Sequence, residues 1–345
     1  MKLLTIFTGG TIGSSIENGY INTNTDNMQK LLKTVTDDTL SFEICNPYTI
    51  LSENLNGKYI LMLINTVKNA IKKGIYDGII VTHGTDTLQY TSAILGYVFY
   101  NSPVPIVLVS SNYILDDPRA NGPLNLSNAI SFIKRYKSTG MTDTKLGSVF
   151  VSYGNTDPLG RVFGYIHRAT RVLPHIPYSD HIFSINNTFY GQFISEGSFV
   201  LNSTDTASVQ SSNDTVVELP KEINLNQTSP VMYIKEMPGI IYPDIPENIK
   251  CIIMEAYHSG TLCTSDDSSN GLWEFTSKAT ENNIPIFLSG MPDGLSYEST
   301  SVFSSLNIKI LPPASPIAMY MKAWLILDNN MDMELIFKPF ADEFV

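Results

Sequence analysis

The sequence predicts an α/β protein in two parts, a larger amino-terminal one with a mostly parallel sheet between helices and a smaller α/β one after it. Three observations carry this expectation. Up to about residue 190 short β-branched runs alternate with helical segments. A polar tract with no apolar period fills 202–228, and beyond it the alternation resumes. At roughly 150 residues per domain, a chain of 345 residues holds about two domains, or one large one, with ample length to bury a core.

The elements follow in order. Strands are expected at 3–7, 42–45, 78–82, 105–109 and 148–152. Between the second and third, Ile60, Leu63, Ile64, Val67 and Ile71 recur on a single helical face, and Gly74 supplies a stop. Repeated strand-helix-strand units imply parallel pairing, with the functional loops at the carboxyl ends of the strands. The tract 202–228 reads as a connection, which sets expected boundaries of 1–201 and 229–345 for the two domains. In the second, strands are expected at 231–234, 251–254 and 285–288. A helix there carries Leu272, Phe275 and Ala279, and a final helix spans 317–327.

Composition narrows the function classes. Charged residues make up 16% of the chain, against a usual figure near ~25%, and hydrophobic residues 43%. The 33 acidic and 22 basic side chains leave a net charge of −11, without a lysine or arginine cluster able to track a phosphate backbone, so nucleic acid is not an expected partner. The first apolar stretch, ending at Phe7, is shorter than a signal-peptide core of roughly 7 to 15 residues, and no run approaches the ~18 apolar residues of a membrane span. Three cysteines without a CxxC fit a reducing compartment. A cytoplasmic protein with no membrane partner is expected. His167, His175, His181 and His258 lack paired ligand spacing, and Asp266-Asp267 reads as a solvated turn, so a metal is not expected.

Two segments carry chemistry. Phe7-Thr8-Gly9-Gly10-Thr11-Ile12-Gly13 follows the first strand directly. Its glycines allow a sharp turn with unobstructed amides, so that the Thr11 hydroxyl could sit beside oxyanion donors; the plain alternative is a turn and nothing more. Its spacing is not the dinucleotide GxGxxG. Val81-Thr82-His83-Gly84-Thr85-Asp86-Thr87 follows another buried-type strand and opens a helix. There Asp86 is either an amino-terminal cap or a ligand-facing carboxylate, and His83 reads as structural. In a parallel sheet the two strand ends are adjacent, so Thr11, Thr85 and Asp86 could face one ligand.

Thr-Gly-Gly-Thr-Ile-Gly followed by Thr-His-Gly-Thr-Asp-Thr resembles the bacterial-type L-asparaginases, especially their cytoplasmic members. Leu51-Ser52-Glu53-Asn54-Leu55 is similar to the family's segment that holds the substrate α-carboxylate and α-amino groups. Ser110-Ser111-Asn112 and the run from Arg119 to Ala129 are similar to the segment before and within the next helix. Pro238-Gly239, His258-Ser259-Gly260-Thr261 and Ser289-Gly290-Met291-Pro292-Asp293-Gly294 are looser matches in the carboxyl-terminal part.

The resemblance implies a larger amino-terminal domain, a smaller Rossmann-like one, and active sites completed across an intimate dimer, in a homodimer or homotetramer. It implies cofactor-free hydrolysis of L-asparagine to L-aspartate and ammonia, with Thr11 as nucleophile and Tyr20 assisting from a lid; for Tyr20 the residue itself also reads as a surface tyrosine. Thr85 and Asp86 would form the second catalytic group, and Gly10, Ser52, Glu53, Gly84 and Asn112 would contact the substrate. The carboxylates suit an ammonium group and the hydroxyls and amides a carboxylate. Thr261 is a candidate contribution from the neighbouring subunit, although the segment lacks a clean Gly-Asn-Gly. Because Thr11 stands so near the first residue, relatives that act on tRNA-linked substrates are not the expected class.

The sequence departs from the family at one point. Where the family has Arg-x-Thr-Lys, this chain reads Arg168-Ala169-Thr170-Arg171-Val172, and no lysine occurs between Lys145 and Lys221. A threonine hydroxyl needs a nearby proton acceptor. Arg171 keeps the charge and is expected to hold Asp86 and Thr85 by its planar fork, but a guanidinium with a pKa above roughly 12 cannot act as a base. The alternatives left open are a slow asparaginase, a hydrolase of glutamine or another small amino-acid amide, and an impaired homologue that binds asparagine or aspartate as a sensor or scaffold.

Overall fold

A computed structural model describes residues 1–17, 20–23, 26–35, 38–138, 147–195, 198–205, 217–265, 271–291 and 297–345, without the side chains of 13–28 and of residue 195. Asp266, Asp267, Pro292, Asp293, Gly294 and the Tyr20 side chain lie outside the described residues. The chain forms two compact units, 1–215 with 340–342 and 216–339 with 343–345.

In the first unit, β1 (Lys2–Phe7) leads through a short turn to an antiparallel pair, β2 (Ser14–Glu17) and β3 (Tyr20–Thr23), then to α1 (Asp26–Lys33) and β4 (Ser41–Cys45). Helix α2 (Gly57–Lys73) forms where the apolar period predicts it, burying Ile60, Leu63, Ile64 and Val67. Asn56 caps it by accepting from the amides of Lys58 and Tyr59, at 3.1 and 3.4 Å. Gly74 ends it at φ 65°, the left-handed conformation that costs glycine least. There follow β5 (Gly78–Thr82), α3 (Leu88–Val98), β6 (Ile106–Val109), α4 (Gly122–Ser138) and β7 (Val149–Thr156).

These strands form one side of an eight-stranded sheet ordered β10-β9-β8-β7-β6-β5-β1-β4, in which β4, β1, β5, β6 and β7 are parallel. The remaining three, β8 (Val162–Arg168), β9 (Gly191–Ser195) and β10 (Ser198–Leu201), are antiparallel additions that the sequence pattern did not announce. From β1 the chain steps to β4 on one side and later enters β5 on the other. That reversal makes the β1/β5 boundary a topological switch point, with a crevice at the carboxyl ends. One sheet face packs Leu3, Phe7, Ile80, Val107, Val109 and Phe150 against α1 and α4.

The second unit is a four-stranded parallel sheet, β11 (Val231–Lys235), β12 (Cys251–Glu255), β13 (Ile286–Ser289) and β14 (Ile308–Ile310), with α5 (Leu272–Glu281) and α6 (Pro316–Asp328). Its core joins Ile252, Met254 and Leu288 to Leu272, Phe275 and Ala279 of α5. Within it Lys322 is fully buried and ion-paired to Glu343 at 2.6 Å, also donating to the Ile336 carbonyl at 3.0 Å. The division between the units falls inside the expected tract 202–228, yet Asp205 in that tract is buried in the first unit.

Candidate active site

The site is assembled by three segments meeting at backbone distance. After β1, Gly9 makes a parallel bridge to Ile50, whose amide donates to the Thr8 carbonyl at 3.1 Å, while the Gly10 amide donates to the Ile50 carbonyl at 3.3 Å. Thr8 Oγ1 donates to the Thr82 carbonyl at 2.7 Å, tying the end of β1 to that of β5. Gly10 has φ 78°, and a Cβ there would stand 2.4 Å from the Gly84 nitrogen. A Cβ on Gly84 would in turn stand 2.4 Å from Ser52 Oγ. These two glycines are required because only a missing side chain lets the turns and the Ser52 segment close on one another.

Thr11 opens a short 3₁₀ turn, Thr11–Gly13, and is half-buried. Thr85 is half-buried and Asp86 exposed at the start of α3. Asp86 is not the cap of that helix. Thr87 holds the cap position without a side-chain capping bond, and the Asp86 carboxylate instead accepts from Ser52 Oγ at 3.3 Å. Thr87 Oγ1 donates to the Ser52 carbonyl at 3.0 Å and Gln89 Nε2 to the Asp86 carbonyl at 3.0 Å, so both segments are braced. Glu53 is exposed on the 3₁₀ turn Ser52–Asn54.

His83 is structural, as its sequence context suggested. It is buried, its Nδ1 lies 2.9 Å from the Gly84 carbonyl and its Nε2 2.8 Å from Thr91 Oγ1, and burial pulls its pKa down to about 4. After β6, Ser110 Oγ donates to the His83 carbonyl at 2.7 Å. Asn112 and Asn121 exchange two amide-to-side-chain bonds, each 3.0 Å, which fixes the Asn112 carboxamide and leaves its buried Nδ2 without a partner among the described residues. The structure thus brings Gly10, Thr11, Ser52, Glu53, Gly84, Thr85, Asp86 and Asn112 to the carboxyl-end loops of β1, β5 and β6 and to the segment leading into α2. Of Tyr20 only the backbone, in β3, is described.

Arg171 is not brought to Asp86, contrary to the expectation from linear spacing. Strand β8 runs antiparallel to β7, with Arg168 opposite Phe150, so it carries the chain to the amino-terminal end of the parallel strands. There Arg171 is buried, its Nε donating to the Asp342 carbonyl at 2.6 Å and its guanidinium 3.2 Å from Asp205. Arg168 grips the same Asp205 with two bonds of 2.6 and 2.8 Å and reaches the Asp342 carboxylate at 3.1 Å.

Two residues that the sequence reading did not place in the site stand at its β7 border. Tyr153 lies one step beyond Ser152, which is in register with Val109 and hence with Thr82. Its hydroxyl meets His175 Nε2 at 3.0 Å. Tyr153 fell just outside the expected strand 148–152, while β7 runs on to Thr156, and His175 had no sequence signal beyond its chemistry. In the second unit Thr261 Oγ1 lies 3.0 Å from Ser259 Oγ, in the loop after β12.

Comparison with known proteins follows the same lines. The family model described as Asparaginase, N-terminal, matches residues 2–187. The L-asparaginase of Thermococcus kodakarensis is 34% identical over 137 residues, 39% of this chain and 41% of that protein. A glutamyl-tRNA(Gln) amidotransferase chain from Methanococcus maripaludis is 29% identical over 242 residues, 68% of this chain and 52% of that one. The chain therefore spans about half the length, or less, of these curated relatives. Among solved structures, the thermostable L-asparaginase from Thermococcus kodakarensis superposes with a TM-score of 0.73 at 23% identity, covering 100% of this chain and 99% of that one. L-asparaginase I from Vibrio cholerae gives 0.70 at 18% identity, with the same coverage. These likenesses show a shared fold, and with more than half of its length matched by the family model the chain belongs to the asparaginase family.

Proposed function

We propose that the protein hydrolyses the side-chain amide of L-asparagine to L-aspartate and ammonia without a cofactor, with Thr11 as nucleophile. The observation that carries the reading is the closure of Gly10 on Gly84 and of Gly84 on Ser52, which gathers two threonine-bearing turns and two carboxylates at the switch point of the sheet. In this reading Thr11 Oγ bonds to the amide carbon and gives up its proton, and the nitrogen leaves as ammonia after taking one. Water adds to the resulting ester, releasing aspartate and restoring the hydroxyl. Backbone amides at Gly10 are suited to the oxyanion, and Thr85 with Asp86 forms the second catalytic group. Asp86 and Glu53 match the substrate ammonium, while Ser52 and the Asn112 carboxamide supply donors to its carboxylate. A cytoplasmic location and assembly as a homodimer or homotetramer belong to the same proposal.

Membership of the asparaginase family supports the amidohydrolase class. The likeness to a glutamyl-tRNA(Gln) amidotransferase favours a second reading, an amide substrate related to glutamine. The distance of Arg171 from Asp86 favours a third, a binding protein with little turnover. Ammonia release from L-asparagine, L-glutamine and D-asparagine separates them. The first reading requires turnover of L-asparagine that Thr11→Ala abolishes; silence with all three, together with calorimetric binding of L-aspartate, supports the third.

A further inference from the structure

We propose that His175, acting through the Tyr153 hydroxyl, is the proton acceptor of this site, filling the role for which the chain has no lysine. The inference rests on the amidohydrolase reading and assigns the group that reading lacks.

The geometry starts from the strand register. Phe7, Thr82, Val109 and Ser152 stand at one level across β1, β5, β6 and β7, so Tyr153 is level with Thr8, His83 and Ser110, at the threshold of the crevice. After the 3₁₀ turn Ala169–Arg171 the chain returns toward this end, where His175 Nε2 lies 3.0 Å from the Tyr153 hydroxyl. His175 Nδ1 lies 3.2 Å from the Ile176 carbonyl, which accepts only, so Nδ1 carries the proton and Nε2 accepts from Tyr153. The ring is thereby held as the neutral tautomer, with its basic nitrogen turned to the tyrosine.

The groups that act on it come from each neighbouring element. Asp180 and His181 belong to its own loop, Asp86 stands at the start of α3 within electrostatic reach, and Tyr153 is on β7. Burial lowers the pKa of His175, while Asp180 and Asp86 oppose that shift. No other histidine of the first unit is placed to serve. His83 has both ring nitrogens engaged, His167 is buried with Nδ1 on Ser184, and His181 Nε2 is committed to the Thr156 carbonyl at 2.6 Å.

As the attacking oxygen bonds to the amide carbon, its proton passes through water in the crevice to the Tyr153 oxygen, on the strand three places from β1, while the Tyr153 proton moves to His175 Nε2. The imidazolium returns a proton by the same path to the amide nitrogen, which leaves as ammonia when the C–N bond breaks. Such general acid-base assistance contributes about 10² to 10⁴ in rate.

The test is the pH dependence of kcat/KM for ammonia release from L-asparagine by the wild type, His175→Gln and Tyr153→Phe. The wild-type profile should fall on the acid side as the imidazole protonates. His175→Gln should lose that acid limb and about 10²-fold or more of kcat, with KM little changed. Tyr153→Phe breaks the path between His175 and the attacking oxygen, so it should lose the same limb and a comparable share of kcat. A His175→Gln enzyme that keeps the wild-type rate or the wild-type limb overturns the inference, as does a retained limb in Tyr153→Phe. A silent wild type would defeat the amidohydrolase reading instead. In that case the His175 ring, assigned by NMR from its absence in His175→Gln, must still change its titration midpoint on addition of L-aspartate; no change overturns the placement of His175 at the site.

Discussion

The two ends of the large sheet use the same residue types for opposite purposes. At the amino-terminal end of the parallel strands, Arg168, Arg171, Asp205 and Asp342 pair two cations with two anions through short bonds, and Arg168, Arg171 and Asp205 are buried. At the carboxyl-terminal end, Asp86 is exposed and Glu53 is exposed, and no ion pair involves either among the described residues. Buried charge must be matched to persist, and once matched it has nothing left to offer a ligand. Charge left unmatched at a switch point is free to take an ammonium group. An aspartate is therefore read as structural or functional by which end of the sheet it occupies.

The comparison yields graded expectations. Thr11→Ala, at the open end, should reduce ammonia release by about 10⁴-fold or more while shifting the urea midpoint of unfolding by no more than a surface substitution would, about 0.5 kcal/mol. Asp205→Ala, at the closed end, should do the reverse. Leaving two buried guanidinium groups short of a partner costs about 3 to 5 kcal/mol in chemical denaturation, with kcat of the folded fraction retained.

A smaller effect comes from protons. Burial lowers the pKa of His83 to about 4 and that of His167 to about 3, below the usual ~6.5 that each regains on unfolding. Below that value the unfolded chain binds protons the fold refuses, so this contribution is fully present above pH ~6.5 and is lost as pH falls toward 4. The expected slope is at most about 1.4 kcal/mol per pH unit for each proton of difference, read from denaturation midpoints between about pH 7 and 4. A flat midpoint over that range would show that these imidazoles are not held neutral. The smallest effect belongs to the helix start beside the open end: Asn56→Ala should remove the α2 cap for about 1 kcal/mol, read as a shift of the urea midpoint.

Much of the fold was legible because it rests on local period. The α2 face, its Gly74 stop and the strand at 78–82 stand where spacing put them, since burial on one face enforces that spacing. The two threonine turns were legible because glycines betray close backbone approach, at Gly10 and Gly84 in particular. What escaped did not rest on that period. The turn Asp157-Pro158-Leu159-Gly160, with Gly160 at φ 78°, carries hairpin chemistry for β7 and β8 that a reading by apolar period passes over, and the direction of β8 decides which end of the sheet receives Arg171. A motif alignment sees that Arg171 follows Thr170 and cannot see that the strand before it has reversed. Asp205 escaped likewise, because a lone aspartate in a polar tract looks solvated until two arginines are folded against it.

The most direct test of this account is ammonia release from L-asparagine by Arg171→Lys beside the wild type, at a temperature where both are folded. If the site lies at the carboxyl ends of β1 and β5 with Arg171 at the far end, the wild type turns over and Arg171→Lys has the same kcat within about twofold, with any deficit appearing as stability, because lysine has lost the guanidinium fork. A silent wild type beside an Arg171→Lys variant that releases ammonia would contradict it, since position 171 would then have to reach the reacting threonines.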